Sequence, residues 1–126
     1  MDPYGGRYAD VVAAAAVRQQ AEPLGLGPGD KSELRARVAG RIHLLRVMGK
    51  LAFLTVRDGS GVLQFAISKA AVGDEQWAVV KKLDLGDIIG ADGVVGKTKT
   101  GELTLWADRV TLLCKSMQPP PEKWHG

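Results

Sequence analysis

The chain has 126 residues, 45% of them hydrophobic and 25% charged, with a formal net charge of +3. That describes one globular domain able to bury about two-thirds of its unfolded surface without staples, and no apolar run nears the roughly 20 residues needed to cross a bilayer. The opening MDPYGGRY has neither the basic nor the apolar region of a secretory signal. Cys114 is the single cysteine, which excludes an intrachain disulfide and fits a reducing, cytoplasmic setting.

In chain order, Tyr8 to Gln20 reads as a helix, with Asp10 as its cap and a run of alanines that favour the state. Pro23, Gly25, Gly27, Pro28 and Gly29 then break the chain. Glu33 to Arg46 alternates as a strand. Leu34, Ala36, Val38, Ile42 and Leu44 are expected to face inward, and Arg35, Arg37, Arg41, His43 and Leu45 outward. Gly40 predicts a bend or bulge of the kind small barrels use to curl a long first strand. His43 has no second His or Cys at ligand spacing, so no metal site is expected.

Leu51 to Ser68, LAFLTVRDGSGVLQFAIS, reads as a hairpin closed by Asp58-Gly59-Ser60-Gly61. A turn centred on Gly59-Ser60 pairs residues whose numbers sum to about 119. One face collects Ala52, Leu54, Val56, Leu63, Phe65 and Ile67, all apolar. The other collects Phe53, Thr55, Arg57, Val62, Gln64 and Ala66. Asp74 to Leu83 reads as a short helix with Trp77, Val80 and Leu83 on one stripe. Asp87 to Val95 is a Gly-rich strand and Lys97 to Glu102 a basic hairpin loop. Leu103–Ala107 and Val110–Cys114 form a last long strand bent near Asp108, with Cys114 as a buried small hydrophobe. Gln118 to Lys123 is a stiff Pro-rich linker leading to Trp124-His125-Gly126.

This order predicts a mainly β chain: a five-stranded OB-fold Greek-key barrel, with a helix between strands 3 and 4 and an N-terminal helical extension. The expected organisation is a helix and Gly/Pro loop over 1–30, the barrel over 31–117, and a linker over 118–126. In that fold the face of strands 2 and 3, with the 1–2 and 4–5 loops, binds oligonucleotides. Phe53 and Gln64 fall on that face, Arg46 and Lys50 beside the first loop, Lys97, Lys99 and Glu102 beside the second. A ring on which a base can stack, beside an amide that reads its edge, is the chemistry of single-stranded RNA recognition. Residues 31–57 carry seven basic residues against Glu33 alone, so the rest of the chain is net acidic. This is an electrostatic footprint for a polyanion. No nucleophile–base pair, metal cluster or phosphate-binding loop is apparent, so this chain by itself is expected to be non-catalytic.

Several segments carry a family resemblance: Asp2-Pro3-Tyr4-Gly5-Gly6-Arg7-Tyr8, Val38-Ala39-Gly40-Arg41-Ile42, Met48-Gly49-Lys50 and Asp84-Leu85-Gly86-Asp87-Ile88-Ile89-Gly90. Lys97-Thr98-Lys99-Thr100-Gly101-Glu102-Leu103 and Pro121-Glu122-Lys123-Trp124-His125-Gly126 complete the set. In this order they resemble the N-terminal anticodon-binding domain of class II lysyl-tRNA synthetases. The resemblance implies tRNA, through a lysine anticodon stem-loop, as the partner. It implies that Phe53 stacks on the middle uridine, that Gln64 contacts the same base, and that Glu102 contacts a neighbouring one. Arg41, Arg46, Lys50, Arg57, Lys97 and Lys99 are the expected supporting contacts to RNA.

The resemblance further implies a homodimeric parent enzyme that joins lysine to tRNA with ATP and Mg²⁺, in a larger catalytic domain that this chain lacks. Two positions depart from the family pattern. Leu45 stands where the first of two basic residues is frequent, leaving Arg46, or Arg41, to supply the cation. Gly96 stands where an aromatic is frequent, which implies a more mobile second loop. The alternative to an anticodon reader is a stand-alone OB-fold protein that binds single strands regardless of sequence.

Overall fold

The computed structural model describes residues 11–116. The elements are α1 (Ala14–Ala21), a 3-10 turn (Glu22–Leu24), β1 (Lys31–Met48), β2 (Leu51–Arg57), β3 (Val62–Ser68), α2 (Lys69–Val72), α3 (Asp74–Val80), β4 (Ile88–Lys97) and β5 (Leu103–Cys114). The strands close a barrel in the order β1-β2-β3-β5-β4. All neighbours are antiparallel except β3 and β5, whose parallel pairing closes the ring. The expected OB-fold order is therefore present, with α2 as an added turn capped by the Ser68 hydroxyl. The helix read as Asp74 to Leu83 ends at Val80, and Leu83 is buried just beyond it.

The hairpin has the anticipated register: Leu51 pairs with Ser68, Leu54 with Phe65 and Arg57 with Val62, each sum 119. Its apolar face fills the barrel, and none of Ala52, Leu54, Val56, Leu63, Phe65 and Ile67 is more than 1% exposed. Val38, Ile42, Ile89, Val95 and Leu105 meet them from the other strands.

β1 serves two neighbours. Its first part pairs with β4 as far as Arg41, and from Arg41 on it pairs with β2. The changeover falls at Gly40, where an added Cβ would stand 2.5 Å from the Arg57 carbonyl oxygen and 2.7 Å from a Val56 methyl. Only glycine lets the strands approach this closely. A bulge follows, with Ile42 opposite Val56 and Leu44 opposite Thr55, leaving His43 unpaired between them. One extra residue exchanges the faces of everything after it. The expectation for Leu44 and Leu45 is thereby reversed: Leu44 is 60% exposed, and Leu45 packs against the core opposite Leu54. A second bulge in the β4–β5 ladder skips Asp108, where a bend was expected. Cys114, read as buried, is half-buried at the end of β5.

The N-terminal helix is held from a distance. Ala13, at its N-terminus, has no side-chain cap. Asp58 and Ser60 of the β2–β3 turn supply it instead: Asp58 Oδ2 accepts from Ala14 N at 2.7 Å and Ser60 Oγ from Ala15 N at 3.0 Å. The expected cap, Asp10, and the linker at 118–126 lie outside the described residues. Asp58 Oδ1 also accepts from Ser60 N, Ser60 Oγ and Gly61 N, closing its own turn. Val17 and Ala21 bury the helix face against the barrel, and Arg18 donates from Nε and Nη2 to the Val62 carbonyl at 3.0 and 2.8 Å.

Just before β4, Asp87 is fully buried. It accepts from Lys115 Nζ at 2.8 Å, Ser116 N at 2.7 Å and Asp84 N at 2.9 Å. Burial pushes both carboxyls up, but their hydrogen bonds outweigh it and hold each below the usual carboxylate range; for Asp87 the Lys115 charge adds to this. A depressed folded-state pKa stabilises the fold above the unfolded carboxylate value of about 3.9, and the gain is lost as pH falls through the folded values. Urea unfolding from pH 7 to pH 3 is expected to show stability falling below about pH 4, and more gently in Asp58→Asn. Asp58→Ala, which uncaps α1, should cost about 0.5–2 kcal/mol at pH 7; an unchanged unfolding midpoint would contradict the capping role.

Candidate nucleic-acid interface

On the groove side of the sheet, β2, β3 and β5 bring Phe53, Ala66 and Trp106 into one row: Phe53 pairs with Ala66 and Ala66 with Trp106. The next row holds Thr55, Gln64 and Thr104. An open groove of about 840 Å³ lies over this surface, with Phe53, Gln64 and Trp106 in its lining. Phe53 is half-buried at the groove wall; no helix or loop hides it. The far side of β5 sends Leu103, Leu105 and Ala107 into the core, so alternation separates the reading face from the packing face.

Gln64 is aimed by a short relay. Its Nε2 donates to Thr104 Oγ1 at 3.0 Å, and that hydroxyl donates to the Glu102 carbonyl at 3.0 Å. Thr104 is fully buried, so both of its bonds lie within the protein. One N–H and the side-chain carbonyl of Gln64 remain available to a ligand. The Glu102 carboxylate stands at the groove edge, half exposed and 3.9 Å from Arg18 Nη2. α1 thus reaches the rim of the site through Arg18.

The β4–β5 loop forms the second wall. The Lys97 N–H donates to the Asp30 carbonyl at 2.7 Å, and the Gly29 N–H to the Thr98 carbonyl at 2.8 Å. Gly96 permits this contact, because an added Cβ would stand 2.8 Å from the Asp30 carbonyl oxygen and 2.9 Å from the Lys31 Cα. Gly96 thus lets the chain before β1 lie against the base of this loop.

The predicted residues divide into two groups. Phe53, Gln64, Glu102, Arg46, Lys97 and Lys99 share the groove, with Arg46 opposite Phe53 on β1. Arg41, Lys50 and Arg57 do not line it; Arg41 and Arg57 pair with each other at the far end of the β1–β2 ladder. Leu45 lies under the sheet, and Leu44 takes its expected place on the groove side. The basic segment is also divided. Arg35 is paired with Asp108 at 2.9 Å and Arg37 with Asp92 at 2.6 Å, which offsets that half of the charge. Among the described residues Arg46, Lys97 and Lys99 make no ion pair, so their charge faces the groove. Thr104, Trp106 and Leu44 were not anticipated here. The parallel β3–β5 pairing and the His43 bulge place them, and neither is written in a local pattern. Among the described residues no cluster of His, Cys, Asp and Glu fits a metal ion, and no helix is long and apolar enough to cross a membrane.

A family model described as an OB-fold nucleic acid binding domain matches residues 36–113. The chain belongs to that family. Within it, the chain is 51% identical over 108 residues to the lysine–tRNA ligase of Anaeromyxobacter dehalogenans strain 2CP-C, covering 86% of this chain and 20% of the relative. It is 41% identical over 125 residues to the lysine–tRNA ligase of Synechococcus sp. strain CC9311, covering 99% of this chain and 25% of the relative. A third, from Azoarcus sp. strain BH72, is 47% identical over 97 residues. The chain therefore spans about a fifth to a quarter of the length of these relatives. The segment that matches them is the OB-fold nucleic-acid-binding domain.

The relay gives one prediction. Thr104→Val keeps the volume but removes the hydroxyl, so stability should drop by about 0.5–1.5 kcal/mol for the lost hydrogen bonds. The Gln64 side-chain amide resonances should broaden or shift in the same variant. Unchanged resonances would show that Thr104 does not aim Gln64.

Proposed function

We propose that this chain is the anticodon-recognition domain of a lysine–tRNA ligase. One observation carries the reading: Phe53, Gln64 and Glu102, expected at the anticodon bases, lie on a single groove that Arg46, Lys97 and Lys99 also line. The names of the relatives support the choice of tRNA. The middle uridine would stack on Phe53. Gln64, with an N–H and a carbonyl to offer, complements the N3–H of a uracil edge and one of the two carbonyls that flank it. Glu102, an acceptor when ionised, suits the N–H of the neighbouring base. Lys97, Lys99 and Arg46 would hold phosphates and supply most of the affinity without choosing the sequence. The domain would thereby position the tRNA for the rest of such an enzyme, a homodimer in the cytoplasm, where ATP and Mg²⁺ would act.

The test is fluorescence-anisotropy titration with a lysine-anticodon stem-loop, beside the same loop with its middle uridine replaced by cytidine, at two salt concentrations. The uridine loop should bind more tightly at both. Equal and steeply salt-dependent binding would instead identify a sequence-tolerant single-strand binder. Phe53→Ala should lose about 1–3 kcal/mol of binding; an unchanged affinity with folding intact would sink the stacking role. Lys99→Ala should weaken both loops alike and flatten the salt dependence. A loss confined to the uridine loop would contradict its phosphate role.

A further inference from the structure

Trp106 is the large side chain that the barrel does not use. It sits on β5 between buried Leu105 and Ala107, yet it points to the other face. It belongs neither to the hydrophobic core nor to the half-buried residues packed against it. It is half-buried in the groove wall, one strand beyond Ala66 as Phe53 is one strand before it. Two strand intervals, roughly 9–10 Å, separate the backbones that carry the two rings, and the residue between them, Ala66, has only a methyl group. Each ring can therefore hold a base of its own. The ammonium of Lys31 lies 4.3 Å from the centroid of the Trp106 ring, so that ring face is covered by a flexible side chain that can move. The indole Nε1–H is shielded and has no acceptor among the described residues, unlike most buried indoles.

From this we infer that Trp106 is a second stacking position of the groove, taking the base of the nucleotide next to the one held on Phe53, with Lys31 as its gate. The incoming base replaces the ammonium over the ring. An exposed cation–π contact is the weaker of the two interactions, so the exchange is favourable. The displaced Lys31 stays at the groove edge as a counter-charge for that nucleotide's phosphate. The proposal rests on the reading that the groove binds single-stranded RNA, and it adds a residue and a nucleotide to it.

The probes are the lysine-anticodon stem-loop and a set of the same loop with one abasic nucleotide at each position. Trp106→Leu should weaken the intact loop roughly tenfold, and Trp106→Phe should recover most of the loss. On one loop, abasic beside the middle uridine, Trp106→Leu and the unaltered chain should bind equally. Equal binding of the intact loop by both proteins would overturn the proposal. So would a penalty that persists on every abasic loop, the mark of a purely structural effect. A second measurement does not depend on the leucine variant folding. The indole N–H resonance of Trp106, assigned as the one missing in Trp106→Phe, should shift on addition of the loop; a stationary resonance at saturation would overturn the assignment. If Phe53→Ala weakens binding while Trp106 has no effect, this inference alone fails. If the unaltered chain does not bind the loop, the functional reading fails with it.

Discussion

The barrel depends on how closely β1 passes β2 at Gly40. The Arg57 carbonyl oxygen would lie 2.5 Å from any Cβ there, so one residue type permits the crossing. β1 can then leave β4, join β2 and connect the two halves of the sheet. The bulge at His43 follows from the same bend and decides which side chains face the groove. It puts Arg46 beside Phe53 and sends Leu45 inward. Leu45 thus contributes packing, and Arg46 holds the groove position.

Two carboxylates beside the middle of β1 hold much of the remaining order. The Asp58 turn closes the hairpin and caps α1 with the same carboxylate, joining residues 44 positions apart. Asp87 fastens the start of β4 to Lys115 and Ser116 beyond β5. Both are anions that accept three or more hydrogen bonds, the arrangement that makes taking a charge out of water tolerable. α1 is more than an appendage. Its Arg18 grips the edge of β3 and approaches Glu102, so helix docking and the rim of the groove are mechanically linked.

Much of this was legible in the chain. The hairpin could be read to its register because alternation and a Gly-rich turn leave one pairing. Gly40 and the irregularity near Asp108 were visible as interruptions of pattern. Phe53, Gln64 and Glu102 were placed together by fold order and resemblance, and they do share a groove. What stayed hidden was non-local. A bulge shifts faces without a composition signal, which reversed Leu44 and Leu45. A parallel pairing between β3 and β5 has no hairpin turn to announce it, and it brings Thr104 and Trp106 to the site. The cap of α1 comes from another element altogether. Arg35 and Arg37 looked like part of a polyanion footprint, but Asp108 and Asp92 across the sheet already engage them.

The central claim is that RNA is read on the Phe53–Gln64–Glu102 groove and not on the basic surface at large. Chemical-shift mapping of the isotope-labelled chain, titrated with a lysine-anticodon stem-loop, addresses it most directly. The account predicts the largest changes at the Phe53 ring, the Gln64 side-chain amide and the 97–102 loop, with small ones at Arg41 and Arg57. Changes centred on Arg41 and Arg57, with Phe53 and Gln64 unmoved at saturation, would contradict it.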